Sequence, residues 1–215
     1  MNSCTCKGVH DTHKIIVLTG GPGAGKTALL ELVRQSFCEH VKLLPESAGI
    51  LFGGGFPRGK TVILRRAAQR AIFFTQRELE SIARDVDGAI VLCDRGTVDS
   101  VAYWPGPEEF FPSVGTTLGA ELARYDAVIH LRTPAGKGYT HANPLRIETP
   151  EEALVIDERI LQAWSTHPHR HIVDASTNFL DKVARAIEVL RRELPSCCCA
   201  HVVAALEGHA DDAAK

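Results

Sequence analysis

The sequence predicts an α/β domain in three layers, a parallel sheet covered on both faces by helices. Two features carry that expectation. Short β-branched apolar runs alternate with longer stretches of helical period. The first run, Lys14–Thr19 (KIIVLT), is apolar almost throughout, as a strand buried on both faces must be, and it leads straight into a glycine-rich turn and a leucine-rich helix.

Taken in order, the strand at 14–19 is followed by a helix from Thr27 to about His40, with Leu29, Leu30, Leu32, Val33 and Phe37 at helical spacing. A short strand spans Val41–Leu44 and is stopped by Pro45. Residues 49–60 (GILFGGGFPRGK) are expected to be loop, because three successive glycines carry too much backbone entropy for a helix. A long helix runs from Thr61 to Val86, with Ile72, Leu79, Ile82 and Val86 on its apolar face. The strand Ala89–Cys93 delivers Asp94 at its carboxyl end. The stretch from Ser100 to Phe111 is mixed and aromatic, Thr116–Tyr125 is helical, and Ala127–Leu131 is the fourth strand. Residues 133–148 have no apolar period and read as a mobile flap or lid. Thr149-Pro150-Glu151-Glu152 is a capping box opening the next helix. His171–Val173 is a fifth strand, and Phe179–Leu194 is the closing helix, ended by Pro195.

At 215 residues the chain suits one domain, expected over 14–194, between an N-terminal tail (1–13) and a cysteine-rich C-terminal tail (195–215). The composition, 45% apolar and 23% charged, is that of a soluble globular protein, and a net charge of -2 argues against nucleic acid as partner. The polar opening residues lack the apolar centre of a signal peptide, and no run is long enough to span a membrane, so a reducing cytoplasm is the expected home. Of seven cysteines, Cys38 and Cys93 fall in helix and strand patterns and read as core. Cys4, Cys6, Cys197, Cys198 and Cys199 lie in the tails near His10, His13 and His201; zinc binding, acylation or oxidation, and inert tail are the readings open to them.

The chemistry concentrates at Gly20-Gly21-Pro22-Gly23-Ala24-Gly25-Lys26-Thr27, a full G-x-x-x-x-G-K-[ST] match between a strand and a helix. Such a turn curls so that backbone N–H groups converge on phosphate oxygens, and the helix N-terminus adds donors and a favourable dipole. Gly21, Gly23, Ala24, Gly25, Lys26, Thr27 and Ala28 are therefore the candidate nucleotide-binding residues. Lys26 is expected to neutralise the outer phosphates of ATP or GTP, and the Thr27 hydroxyl to ligate magnesium. Asp94, at the end of a neighbouring strand, is the second candidate magnesium ligand, and Arg95 is placed to touch a phosphate.

Glu46, just after the second strand, comes to the same sheet edge and is the candidate group to orient or deprotonate an acceptor hydroxyl. Arg132, Lys137 and above all Arg146, in or beside the flap, are candidates to close over a moving phosphoryl group. Between Glu46 and Glu78 there is no acidic residue, yet Arg58, Lys60, Arg65, Arg66, Arg70 and Arg77 all occur, which points to an anionic acceptor or a phosphoinositide headgroup. Phe52, Phe56, Phe73, Phe74, Tyr103 and Trp104 divide between core and a wall for a planar ring, and Gln69 and Gln76 are candidates to read a base edge.

GGPGAGKT (20–27), PESA (45–48), DRG (94–96), HLR (130–132) and RIETPEEA (146–153) together resemble an AAA-type ATPase domain family typified by the ribosylnicotinamide kinase domain of NadR. That family also takes in TRPL-translocation-defect-like proteins that bind GTP and phosphoinositide. More distantly the chain is similar to deoxyribonucleoside and thymidylate kinases, whose post-strand glutamate looks like Glu46, acidic-Arg pair like Asp94-Arg95 and lid arginine like Arg146. The resemblance implies a P-loop NTPase fold with a five-stranded parallel sheet of order 2-3-1-4-5. It also implies phosphoryl transfer to a small hydroxyl compound; the alternative is a regulatory ATP- or GTP-binding protein that holds a phosphoinositide or protein partner.

Overall fold

The computed structural model describes residues 13–85, 90–135, 148–176 and 178–195. Its elements, in chain order, are β1 (Lys14–Thr19), α1 (Lys26–Ser36), β2 (Val41–Leu44), α2 (Ser47–Gly53), α3 (Val62–Arg84) and β3 (Ile90–Asp94). A 3-10 turn (Thr97–Asp99) leads to α4 (Ser100–Tyr103), α5 (Phe110–Ser113), α6 (Leu118–Leu122), β4 (Ala127–Leu131), α7 (Pro150–Ala163), β5 (Arg170–Val173) and α8 (Phe179–Glu193). All strand pairs are parallel and the sheet order is β2-β3-β1-β4-β5, as the resemblance implied.

Parallel strands buried on both faces sort their side chains by parity, and β1 shows it. Ile16 and Leu18 join α1 and α8 in one core with Leu29, Val33, Ile187 and Leu190. Ile15 and Val17 join the opposite core with Ala83 of α3, Val98, Ala102, Ile160 and Trp164. Cys38 and Cys93 are buried, as expected of core thiols. The register pairs Leu18 with Asp94, Thr19 with His130 and Leu44 with Cys93, so the carboxyl ends of β1, β2, β3 and β4 reach one edge together.

Three elements depart from the expectations. Residues 47–53 are helix, not loop: the glycines end α2 instead of preventing it, Gly54 being its C-cap and Gly55 taking φ +90°. The face of α3 is also different. Ile82 is 61% exposed, while the buried stripe is Ala68, Gln69, Phe73, Gln76, Glu80 and Ala83. Its polar members sit inside because Gln76 donates to Glu80, which also accepts from Tyr125 and Arg124. Finally α1 ends at Ser36, four residues early, because Phe37 turns extended and is buried with Cys38. Ala89, Val86 and the flap residues 136–147 lie outside the described residues, as do both cysteine-bearing tails.

Candidate functional site

The edge where the strand ends converge opens into a cleft of about 1290 Å3. Gly23, Ala24, Gly25, Lys26, Thr27, Ala28, Glu46, Asp94 and Arg95 all line it. Gly25 sits at the N-cap of α1 in the left-handed region (φ 94°), and a Cβ there would stand 2.7 Å from the Phe179 ring. Only glycine fits that position. The α1 N-terminus has no side-chain cap and no acidic residue in its first turn, which suits its amides and dipole to an anion.

The Lys26 ammonium folds over the turn, donating to the carbonyls of Gly20 (2.8 Å) and Gly21 (3.0 Å). Burial, reinforced by the neighbouring Arg95, lowers it to about 8. Asp94 has one carboxylate oxygen, Oδ1, buried without a hydrogen-bond partner. Burial and then the nearby Glu46 push its carboxyl up to about 6. A buried, unpartnered oxygen beside the Thr27-bearing helix start is a donor set suited to a hard divalent cation.

Arg95 is the one non-glycine residue with positive φ among the described residues (73°). That backbone turns its side chain back across the sheet edge, where Nε donates to Glu46 Oε1 (2.7 Å) and Nη1 to Asp99 Oδ2 and the Gly20 carbonyl (both 3.3 Å). Asp99 is held in turn by Thr19 Oγ1 (2.7 Å) and the Trp164 indole N–H (2.6 Å). Burial raises Glu46, but the charges of Arg95 and Lys26 outweigh it and keep the carboxyl below its ordinary value. Glu46 is thus a fixed carboxylate facing the cleft.

On the far side the lining turns apolar, with Phe52, Leu64, Ala68, Ile72, Phe73 and Tyr103. The two glutamines separate here. Gln76 accepts from Ser47 Oγ (2.7 Å) and donates to Glu80 (2.9 Å), so its amide is spent inside the protein. Gln69 lines the cleft with no hydrogen-bond partner among the described residues. The basic run is largely committed as well. Arg58 pairs with Glu148 (3.3 Å) and stacks on Phe52, Arg65 donates to the Tyr103 carbonyl, Arg66 pairs with Glu108, and Arg77 pairs with Glu121 (2.7 Å). Phe74 is 51% exposed and contributes to no wall.

Two expected contacts differ. The Gly21 N–H points not into the cleft but to Asp157 Oδ1 (2.8 Å) on α7. Arg132 is drawn to Asp157 and Glu158 instead of lining the cleft. Lys137 and Arg146 lie outside the described residues. Sequence reasoning missed Asp99, Trp164, Asp157 and Lys182. The signal for Asp157 was its place between Ala153 and Ile160 on the buried face of α7, where an acid needs a partner.

A sequence profile of the AAA domain family matches residues 15–182. The chain belongs to that family. The chain is also similar to the thymidylate kinases of Lacticaseibacillus casei (strain BL23) and Lacticaseibacillus paracasei (strain ATCC 334). Each is 26% identical over 86% of this chain and 98% of the relative. Among solved structures, the deoxyadenosine kinase of M. mycoides with bound dATP superposes with a TM-score of 0.57 at 14% identity, over 83% of this chain and 99% of that one. That likeness is one of fold.

Proposed function

We propose that the protein is a nucleoside-type kinase, moving the γ-phosphoryl group of ATP or GTP to a hydroxyl of a nucleoside-like acceptor. The observation that carries this reading is the Glu46 carboxylate, ion-paired with Arg95 and facing the same cleft as the phosphate cradle. A nucleotide-binding regulator has no need of a fixed carboxylate beside an apolar chamber. The relatives' names, thymidylate kinase and deoxyadenosine kinase, support a nucleoside-like acceptor.

In this mechanism the α1 amides and the Lys26 ammonium take the polyphosphate charge, which is where phosphoryl transfer needs stabilisation. Thr27 and Asp94 would hold magnesium, which when bound neutralises charge on the phosphate oxygens. Glu46 accepts a hydrogen bond from the acceptor hydroxyl and aims it in line with the phosphoryl group. Arg95 keeps Glu46 ionised and in place, and Asp99 with Trp164 keeps Arg95 in place. Phe52, Phe73 and Tyr103 wall the acceptor's ring, with the Gln69 amide turned to its polar edge.

The test is a panel. The purified protein is incubated with γ-labelled ATP or GTP, magnesium and deoxynucleosides, ribonucleosides (nicotinamide riboside included), nucleoside monophosphates, sugars and vitamins. Label is expected on one nucleoside-like compound, at a rate at least a hundredfold above hydrolysis. Bound triphosphate with no label moved to any of them would overturn the reading.

A further inference from the structure

Lys182 lies on the buried face of α8 with Val183, Ala186, Ile187 and Leu190, and is 4% exposed. A lysine in that position gives up both hydration and side-chain freedom, so something must hold its ammonium. What holds it is not a carboxylate. Nζ donates to the carbonyl of Ala24, 2.7 Å away in the middle of the phosphate cradle, and to the carbonyl of Arg132 at the end of β4. Burial lowers Lys182 to about 8, with Asp157 the charge that opposes the fall, so it is a cation at neutral pH.

Its surroundings are organised around the same turn. Asp157 accepts the Gly21 N–H, and the Thr133 hydroxyl donates to the Pro22 carbonyl (3.2 Å). Peptide groups of the cradle that do not face the cleft are thus held from the segment just after β4, from α7 and from α8. Lys182 is distinct among these partners because of which peptide it touches. The Ala24 carbonyl and the Gly25 N–H are two ends of one amide, and Gly25 is the N-cap of α1 at the mouth of the cleft. A cation bonded to the carbonyl end draws electron density away from the nitrogen and makes its N–H a stronger donor.

We infer that Lys182 is a positioning residue for polyphosphate, a second ammonium that acts from behind the cradle through the Ala24–Gly25 amide. This rests on nucleotide binding but not on the kinase reading. A core lysine with no such role would stabilise the fold and leave ligand preference unchanged.

The experiment compares wild type with Lys182→Met and Lys182→Gln, which remove the charge, and Lys182→Arg, which keeps it. Calorimetry gives the affinities for MgATP and for AMP, or for MgGTP and GMP if guanine binds better. The expected result is about tenfold weaker triphosphate binding in each folded neutral variant, with monophosphate binding changed less than twofold and the Arg variant within threefold of wild type. Lys182→Gln keeps a donor for the Ala24 carbonyl, so a folded protein is obtained even if Lys182→Met melts. An unchanged ratio of triphosphate to monophosphate affinity in a folded neutral variant overturns the inference. A wild type that binds no triphosphate would instead strike the nucleotide-binding reading beneath it.

Discussion

Asp94 shows at the scale of one residue how a site works against its fold. A carboxyl whose value rises on folding stabilises the protein while protonated. That contribution is full below its ordinary value of 3.8 and gone once pH has climbed through about 6. At pH 7.5 the folded protein therefore carries an ionised Asp94 at a cost, with Oδ1 unpartnered. Asp94→Asn is expected to raise the ligand-free melting temperature at pH 7.5, to lose that advantage as pH falls toward 4, and to abolish the gain in triphosphate affinity that magnesium confers. Thermal melts across pH and calorimetry with and without magnesium check it. Lys26, Thr27, Glu46 and Asp94 were legible in the sequence because motif and strand-end position speak for them. Asp99 and Lys182 were not, since their roles come from contacts 65 and 158 residues away in the chain.

Among the elements, α7 shows what sequence can and cannot specify. Its capping box was readable from four residues and is present in full, with Thr149 Oγ1 accepting from the Glu152 N–H and Glu152 returning the bond to the Thr149 N–H. Thr149→Ala removes one of those bonds and is expected to lower stability by about 1 kcal/mol in denaturant unfolding. Because Asp157 reaches the Gly21 N–H from the next turns of the same helix, the substitution should also weaken triphosphate binding a few fold. The other helices explain the misreadings. On α3 the apolar residues suggested one buried face, but the buried stripe takes in Gln76 and Glu80, whose polar atoms find partners on α2, on Arg124 and on Tyr125. On α2 the glycine run was read as a breaker of everything near it, whereas it acts only at the helix end.

For the molecule as a whole, the two cores and the sheet order followed from alternation of apolar runs and from resemblance, because parallel strands buried on both faces leave few arrangements. The apolar side of the cleft did not, since it is assembled from α2, α3 and α4 and no single segment displays it. Among the described residues no helix is long and apolar enough to cross a membrane. The layer below the sheet also reaches into the site: Trp164, fully buried in that core, donates its indole N–H to Asp99, which steadies Arg95 and through it Glu46. Trp164→Phe keeps an aromatic ring, though a smaller one, and removes the donor, and is expected to cost about 2 kcal/mol in denaturant unfolding from the lost bond and lost packing together. It should lower kcat more than it raises the KM for nucleotide, because Arg95 meets Glu46 at 2.7 Å and the Gly20 carbonyl of the cradle only at 3.3 Å.

The most direct measurement compares wild type and Glu46→Gln on the acceptor found in the panel, with single-turnover transfer and MgATP affinity determined on the same protein. Gln keeps the size and a hydrogen-bonding oxygen for Arg95 but has no carboxylate to aim or relieve an acceptor hydroxyl. The account predicts transfer slowed at least a hundredfold with nucleotide affinity within a few fold of wild type. Equal losses in both, or transfer at the wild-type rate, would contradict it.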